Sequence, residues 1–260
     1  FFAVLAAAAM CVTLVTGFGG RNAAAADDVT PEILLNDTFE EMGEVKSASY
    51  ELTMNMDMTM EIFGFSQKTD MEMDIDIRIF GDNAYASGTM TNCTLEDGEE
   101  VVEEQSVRQY AMLEGEEYVF YSYDEETDSW SKWTSDKPAY TLDMLPRFES
   151  SYFTLEEGDT QYVLSGKIDI LETIAAMPDM FSDFTEAFGG YGELTGEADV
   201  IYTFDKKTKE LTSVSIDLSE AMRDIMDNSI AAMKESMGEY YSDTDLDSLF
   251  SVDFRRFAVE

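Results

Sequence analysis

Between Leu52 and Ile62 the chain reads L-T-M-N-M-D-M-T-M-E-I, with every even position apolar and every odd one polar. Asp70 to Ile79 repeats the pattern as D-M-E-M-D-I-D-I-R-I. Successive side chains of a β-strand point to opposite faces, so a period of two commits both runs to a sheet with one apolar and one acidic face. No helix can present these residues amphipathically. The apolar face is largely Met, whose flexible thioether side chain adapts to irregular surroundings. It suits either a packed core or the wall of a ligand space.

The same period continues. Tyr50–Gly64, Ser66–Phe80, Ala84–Leu95, Val101–Leu113, Tyr118–Tyr123 and Trp130–Thr134 read as six successive strands. Gly81-Asp82-Asn83, Asp97-Gly98, Glu114-Gly115-Glu116 and Asp124–Asp128 are the turns between them. Short turns between consecutive strands make an antiparallel meander. Tyr152–Leu155 with Tyr162–Lys167, and Leu194–Phe204 with Glu210–Leu218, read as two further strand pairs, and residues 249–259 as a closing strand.

Three stretches have helical spacing instead. Thr30-Pro31-Glu32 starts one, with a capping hydroxyl, Pro at the first helical position and an acid near the positive end of the dipole. Its stripe is Ile33, Leu34, Met42 and Val45. Leu171, Ile174 and Ala175, then Phe181, Phe184 and Phe188, form a second, broken near Pro178. Ser219 caps a third, with a stripe of Met222, Ile225, Met226, Ile230, Met233 and Met237. The expected fold is α+β: a large curved antiparallel sheet, an incomplete barrel, with about three helices on its concave apolar face. These apolar helix stripes argue against a transmembrane barrel, because they need the sheet's apolar face for their own burial.

Residues 1–20 carry no charge, and Ala23 to Ala26 precede Asp27. This fits a signal peptide or lipoprotein-like leader over 1–26, followed by a single domain over 27–260. Leu14-Val15-Thr16-Gly17-Phe18 has the form of a lipobox with Phe18 in the place of its cysteine. Phe has no thiol, so a lipid anchor is not expected there. The protein is expected outside the cytoplasm, secreted or associated with the cell envelope, and near a membrane only through the leader.

The net charge is −39. Beyond residue 26 the chain keeps all 55 acidic residues and 15 of its 16 basic ones, so the acidity belongs to the folded part. Nucleic acid and anionic lipid headgroups are excluded as charge-driven partners. A surface of this charge favours a soluble monomer. With no His, every Ser-His or Cys-His arrangement is excluded. Cys93 has no basic neighbour in sequence to lower its pKa and reads as a strand residue. Asp243-Thr244-Asp245-Leu246-Asp247-Ser248 begins like a calcium loop, but Ser248 and Phe254 stand where such a loop needs Gly and Glu. Asp57, Asp70, Glu72, Asp74 and Asp76 read as a solvated acidic face rather than an acid–base pair. No enzyme activity, cofactor or metal is expected.

The order of a leader, a first helix, Ser47-Ala48-Ser49-Tyr50 entering a long alternating strand, a wide meander, late helices and an F-D-K-K-T-K-E-L hairpin at Phe204–Leu211 resembles the LolA/LolB/LppX-like bacterial envelope proteins, most of all their exported Gram-positive members. The resemblance covers residues 31–260. It implies an incomplete barrel curled around helices, with a lipid or acylated protein held between. The wall would then be drawn from Leu52, Met54, Met56, Met58, Met60, Met71, Met73, Ile75 and Ile77, closed by Phe181, Phe184, Met226 and Met233. Two readings follow. One is an exported module binding a lipid or lipoprotein in that space. The other is an envelope interaction or sensor domain with a filled core, acting through its acidic surface.

Overall fold

The computed structural model describes residues 12–14, 29–42, 45–62, 65–96, 99–135, 146–176, 195–238 and 250–259. A three-residue strand β1 (Val12–Leu14) is followed by helix α1 (Pro31–Met42) and six strands in succession: β2 (Ser47–Ile62), β3 (Phe65–Phe80), β4 (Asn83–Glu96), β5 (Glu99–Glu114), β6 (Glu117–Asp124) and β7 (Ser129–Ser135). Then come a 3-10 turn (Ser150–Tyr152), β8 (Thr154–Glu157), β9 (Gln161–Asp169), α2 (Ile170–Ala176), β10 (Glu197–Asp205), β11 (Leu211–Asp217), α3 (Ser219–Gly238) and β12 (Phe250–Val259). The six expected meander strands are all present.

The fold is α+β. The sheet has a six-stranded antiparallel section, β7 to β2, and a four-stranded one, β11 to β8. Two strands lie in the seam between them. Strand β12 pairs β2 from Met54 to Ile62 and β11 at Ile216 and Asp217. Strand β1 continues the seam, opposite Tyr50 and Glu51 on one side and Ser213 and Val214 on the other. The sheet does not close into a barrel. Val12–Leu14 fall inside the stretch read as a leader.

Local chemistry fixes the element ends. The Thr30 hydroxyl accepts the Ile33 N–H at 3.3 Å, and its carbonyl accepts the first helical bond from Leu34. Gly81 and Gly115 take positive φ at the two tightest turns, where any Cβ is disfavoured. The loops after β6 and β10 share one device. Asp124 Oδ1 accepts from Glu126 N–H and Thr127 N–H, and Asp205 Oδ1 from Lys207 N–H and Thr208 N–H. Asp128 and Lys209 then turn the chain with positive φ. The Thr208 N–H above all, and then that of Lys207, holds the Asp205 carboxyl below its ordinary range.

Three details of these elements differ from expectation. Tyr152 belongs to a 3-10 turn, because its N–H bonds to Glu149; pairing with β9 starts only at Thr154, opposite Ser165. Helix α3 starts on Ser219, so Leu218 is the capping residue: its carbonyl takes the Met222 N–H, and Asp217 takes the Ser219 N–H. In α1 the buried stripe is Leu34, Leu35, Thr38 and Met42, with Ile33 half-buried. The second helix is described only to Ala176.

One core joins the layers. It takes Leu34, Leu35 and Met42 from α1, Ile170 from α2, and Met222, Ile225 and Met226 from α3. These meet the inner residues of β2 and β3 and, from the four-stranded section, Leu164, Val200, Tyr202, Phe204 and Val214. Gly196 lets α3 sit close: a Cβ there would lie 2.7 Å from the Cα of Ala221. Within this core the Tyr202 hydroxyl donates to the Pro146 carbonyl at 2.6 Å. Burial holds that hydroxyl far above the ordinary tyrosine range. The unfolded chain ionises near the ordinary value of about 10, so Tyr202 contributes stability below that pH and loses it as pH rises. Tyr202→Phe leaves the Pro146 carbonyl unpaired and is expected to cost about 1–2 kcal/mol at neutral pH. The variant's stability should also fall less steeply than the parent's above pH 10; urea melts at pH 7 and pH 10.5 check both.

Candidate functional site

The register of the six-stranded section sorts its side chains into rows. On the inner face Met56, Met71 and Asn92 stand abreast, as do Met54, Met73 and Met90, then Leu52, Ile75 and Gly88, then Tyr50, Ile77 and Ala86. The strands that alternate in sequence are therefore neighbours, and their Met residues form one patch. A side chain lining a water-sized void keeps part of its surface accessible. Leu52, Met54, Met56 and Met58 are only 1–3 % accessible, and Ile77 is fully buried. Met71, Ile75 and Met226 are buried too, while Met73 is half-buried at the core's margin. Leu52 to Met58 thus pack in the core. Met60 lies in β2 and Met233 in α3, with their side chains outside the described residues. Phe181 and Phe184 lie outside the described residues altogether, as does the loop from Asp243 to Ser248.

The outer face divides in two. One half is acidic: Glu51 stands opposite Asp76, and Asp57 opposite Asp70, with Glu72 and Asp74 between. Asp70, Glu72, Asp74 and Asp76 are exposed and Asp57 half-buried. Like charges directly opposite one another destabilise a sheet, so this arrangement is not one that stability alone favours. Among the described residues no group of three or more acidic or cysteine side chains is placed to hold a metal ion.

The other half is aromatic and basic. Arg78, Tyr85 and Tyr110 pair in series across β3, β4 and β5; Tyr110 pairs with Tyr121 on β6, and Tyr121 with Lys132 on β7. Tyr123 pairs with Trp130 one step away. Ring centroids are 4.6 Å apart for Tyr85–Tyr110, 5.6 Å for Tyr110–Trp130 and 5.2 Å for Tyr123–Trp130. Arg108 lies 5.4 Å from the Tyr123 ring and Lys132 5.2 Å from the Tyr121 ring. The Tyr123 hydroxyl donates to Asp128 at 2.5 Å, and that bond above all raises its pKa. Tyr110 and Trp130 remain 43 % and 49 % exposed. Strand-by-strand reading missed this row. Its signal was parity: these rings occupy the positions alternating with the buried Ala84, Ala86, Ala111 and Phe120.

The fold and these two faces define a class, an α+β protein with an open antiparallel sheet, helices sharing the core on its inner side, and an outer face on which Tyr110, Trp130 and the carboxylates from Asp70 to Asp76 are exposed. No family model matches the chain, and no curated protein and no solved structure matches it.

Proposed function

We propose that this chain is a non-enzymatic interaction module, working outside the cytoplasm, whose packed interior serves to hold its outer sheet face in shape. The near-complete burial of Leu52, Met54, Met56 and Met58 in one core with Met222 and Ile225 carries this reading. A rigid sheet with an exposed, chemically mixed face presents side chains for binding with little ordering cost. The uncharged leader-like stretch supports placement outside the cytoplasm, and the net charge of −39 supports work in an aqueous compartment away from anionic surfaces.

One observation favours a second reading, a hydrophobic ligand held between sheet and helices. Met73, abreast of the fully buried Met54, is only half-buried, so the Met patch is not sealed along its whole edge. Native mass spectrometry of protein purified from its own host separates the two. A single apo mass is expected. A co-purifying acyl species that Met58→Asp abolishes, in a variant that still melts cooperatively, would instead establish the lipid-binding reading.

A further inference from the structure

An open sheet ends in two edge strands, each with backbone N–H and C=O groups that face away from its one neighbour. Here the edges are β8 and β7. Strand β8 is defended: it has four residues, two of them Glu. Strand β7 is not. It has seven residues, S-W-S-K-W-T-S, six of them exposed and none of them Pro. Its pairing with β6 runs without a bulge from Tyr118–Ser135 to Asp124–Ser129, and among the described residues β6 is its only strand partner. Alternate residues of such a strand present a donor and an acceptor at the strand repeat, a pattern that another extended backbone matches.

Charge narrows the occupant. Of strands β2 to β12, β7 is the one without an acidic residue. Its ends are the opposite. Asp124, Glu125, Glu126 and Asp128 belong to the turn that enters it, and Glu114, Glu116 and Glu117 to the turn beside its far end, where Ser135 pairs Tyr118. All seven carboxylates are exposed. Lys132 at the centre already has Glu114 at 3.9 Å and lies 5.2 Å from the Tyr121 ring, so the middle of an added strand has no charge to answer. Apolar contact is offered on both sides of the edge. Trp130, 49 % exposed, stands on the outer face, and Trp133, 42 % exposed and stacked on Phe120, on the inner. A second copy fits poorly. Lys132 is the middle residue of β7, so two-fold pairing sets it against Lys132 of the other copy and brings acidic turn beside acidic turn.

On the reading of this chain as an interaction module, we propose that β7 takes up an extended segment of a partner protein as an added strand. That segment matches β7 in length, carries Lys or Arg at both ends, and has uncharged β-branched or aromatic residues between them.

The test titrates the fluorescein-labelled peptide K-T-V-T-V-T-K with the full chain and reads anisotropy. Saturable binding is expected. K-T-P-T-P-T-K, of equal charge but unable to extend a ladder, should not bind, and neither should E-T-V-T-V-T-E. Methylation of alternate backbone nitrogens blocks one edge of a peptide. Of the two alternate sets in K-T-V-T-V-T-K, one should abolish binding and the other spare it. Glu116→Lys together with Glu126→Lys should weaken binding about tenfold. Glu156→Lys, on the β8 edge, should leave it unchanged. All three side chains are exposed, so each variant is expected to fold. No saturable binding, equal binding of the proline peptide, loss with both methylation sets or with neither, or affinity that the double charge reversal leaves intact would overturn the proposal. A chain that sediments as a dimer and is split by the peptide would place a second copy on β7 and overturn it as well. None of these results touches the packed interior, since only uptake of a hydrophobic ligand bears on that.

Discussion

Met54→Ala is expected to lower unfolding stability by about 2–5 kcal/mol, and Met56→Ala by a similar amount. Both side chains are almost entirely inaccessible, Met54 at 1 % and Met56 at 2 %, and both belong to the core that α1 and α3 share with the sheet. Truncation removes the transfer free energy of the lost atoms and leaves a void that rigid strands cannot close. Met73 sits abreast of Met54 but is half-buried, so Met73→Ala should cost well under half as much. The comparison discriminates between functions as well as sites. A residue lining a ligand space has already lost contacts on one side, and its truncation is cheap. Equilibrium denaturation of the three variants gives the answer. Losses below about 1 kcal/mol at Met54 and Met56 would mean that they face a space.

Gly88→Val should be at least as damaging, with an expected loss of about 3 kcal/mol or failure to fold. Gly88 lies opposite Ile75 in the pairing of β3 with β4. A Cβ there would overlap the Asp74 carbonyl oxygen and lie 2.7 Å from the Cα of Ile75. These are backbone atoms, so no side-chain rotation relieves the clash; the two strands must separate. Separation breaks the ladder that joins the buried Met rows to the aromatic row. Ser87→Val, one residue away on the outer face, should change stability by no more than about 0.5 kcal/mol. A thermal melt of each variant checks the contrast, and equal melting temperatures would refute the close approach.

The sheet was legible because alternation is a local signal. Leu52 to Ile62 and Asp70 to Ile79 state which side chains share a face, and the short turns state which strands are neighbours. Register makes those statements spatial: Met54 meets Met73, and Met56 meets Met71. The fate of the Met face was not legible. Whether such a face is filled depends on helices far along the chain, and the spacing of Met222, Ile225 and Met226 describes a stripe without saying what it covers. The cap of α3 slipped by one residue because Asp217 binds the Ser219 N–H and leaves the capping place to Leu218. The Asp205 loop, which helped to suggest a family, proved to be turn chemistry that the Asp124 loop repeats. The aromatic row escaped for a different reason. Tyr85, Tyr110, Tyr123 and Trp130 lie on four strands, and their proximity depends on the accumulated register of three hairpins, which no single strand reveals.

The central claim is that the interior is packed and the outer face does the binding. Titration of the purified full chain with a fluorescent fatty acid tests it most directly. The packed interior predicts no saturable signal at ligand concentrations well above those of the protein. Saturable binding of one fatty acid per chain, lost in a folded Met58→Asp variant, would contradict it.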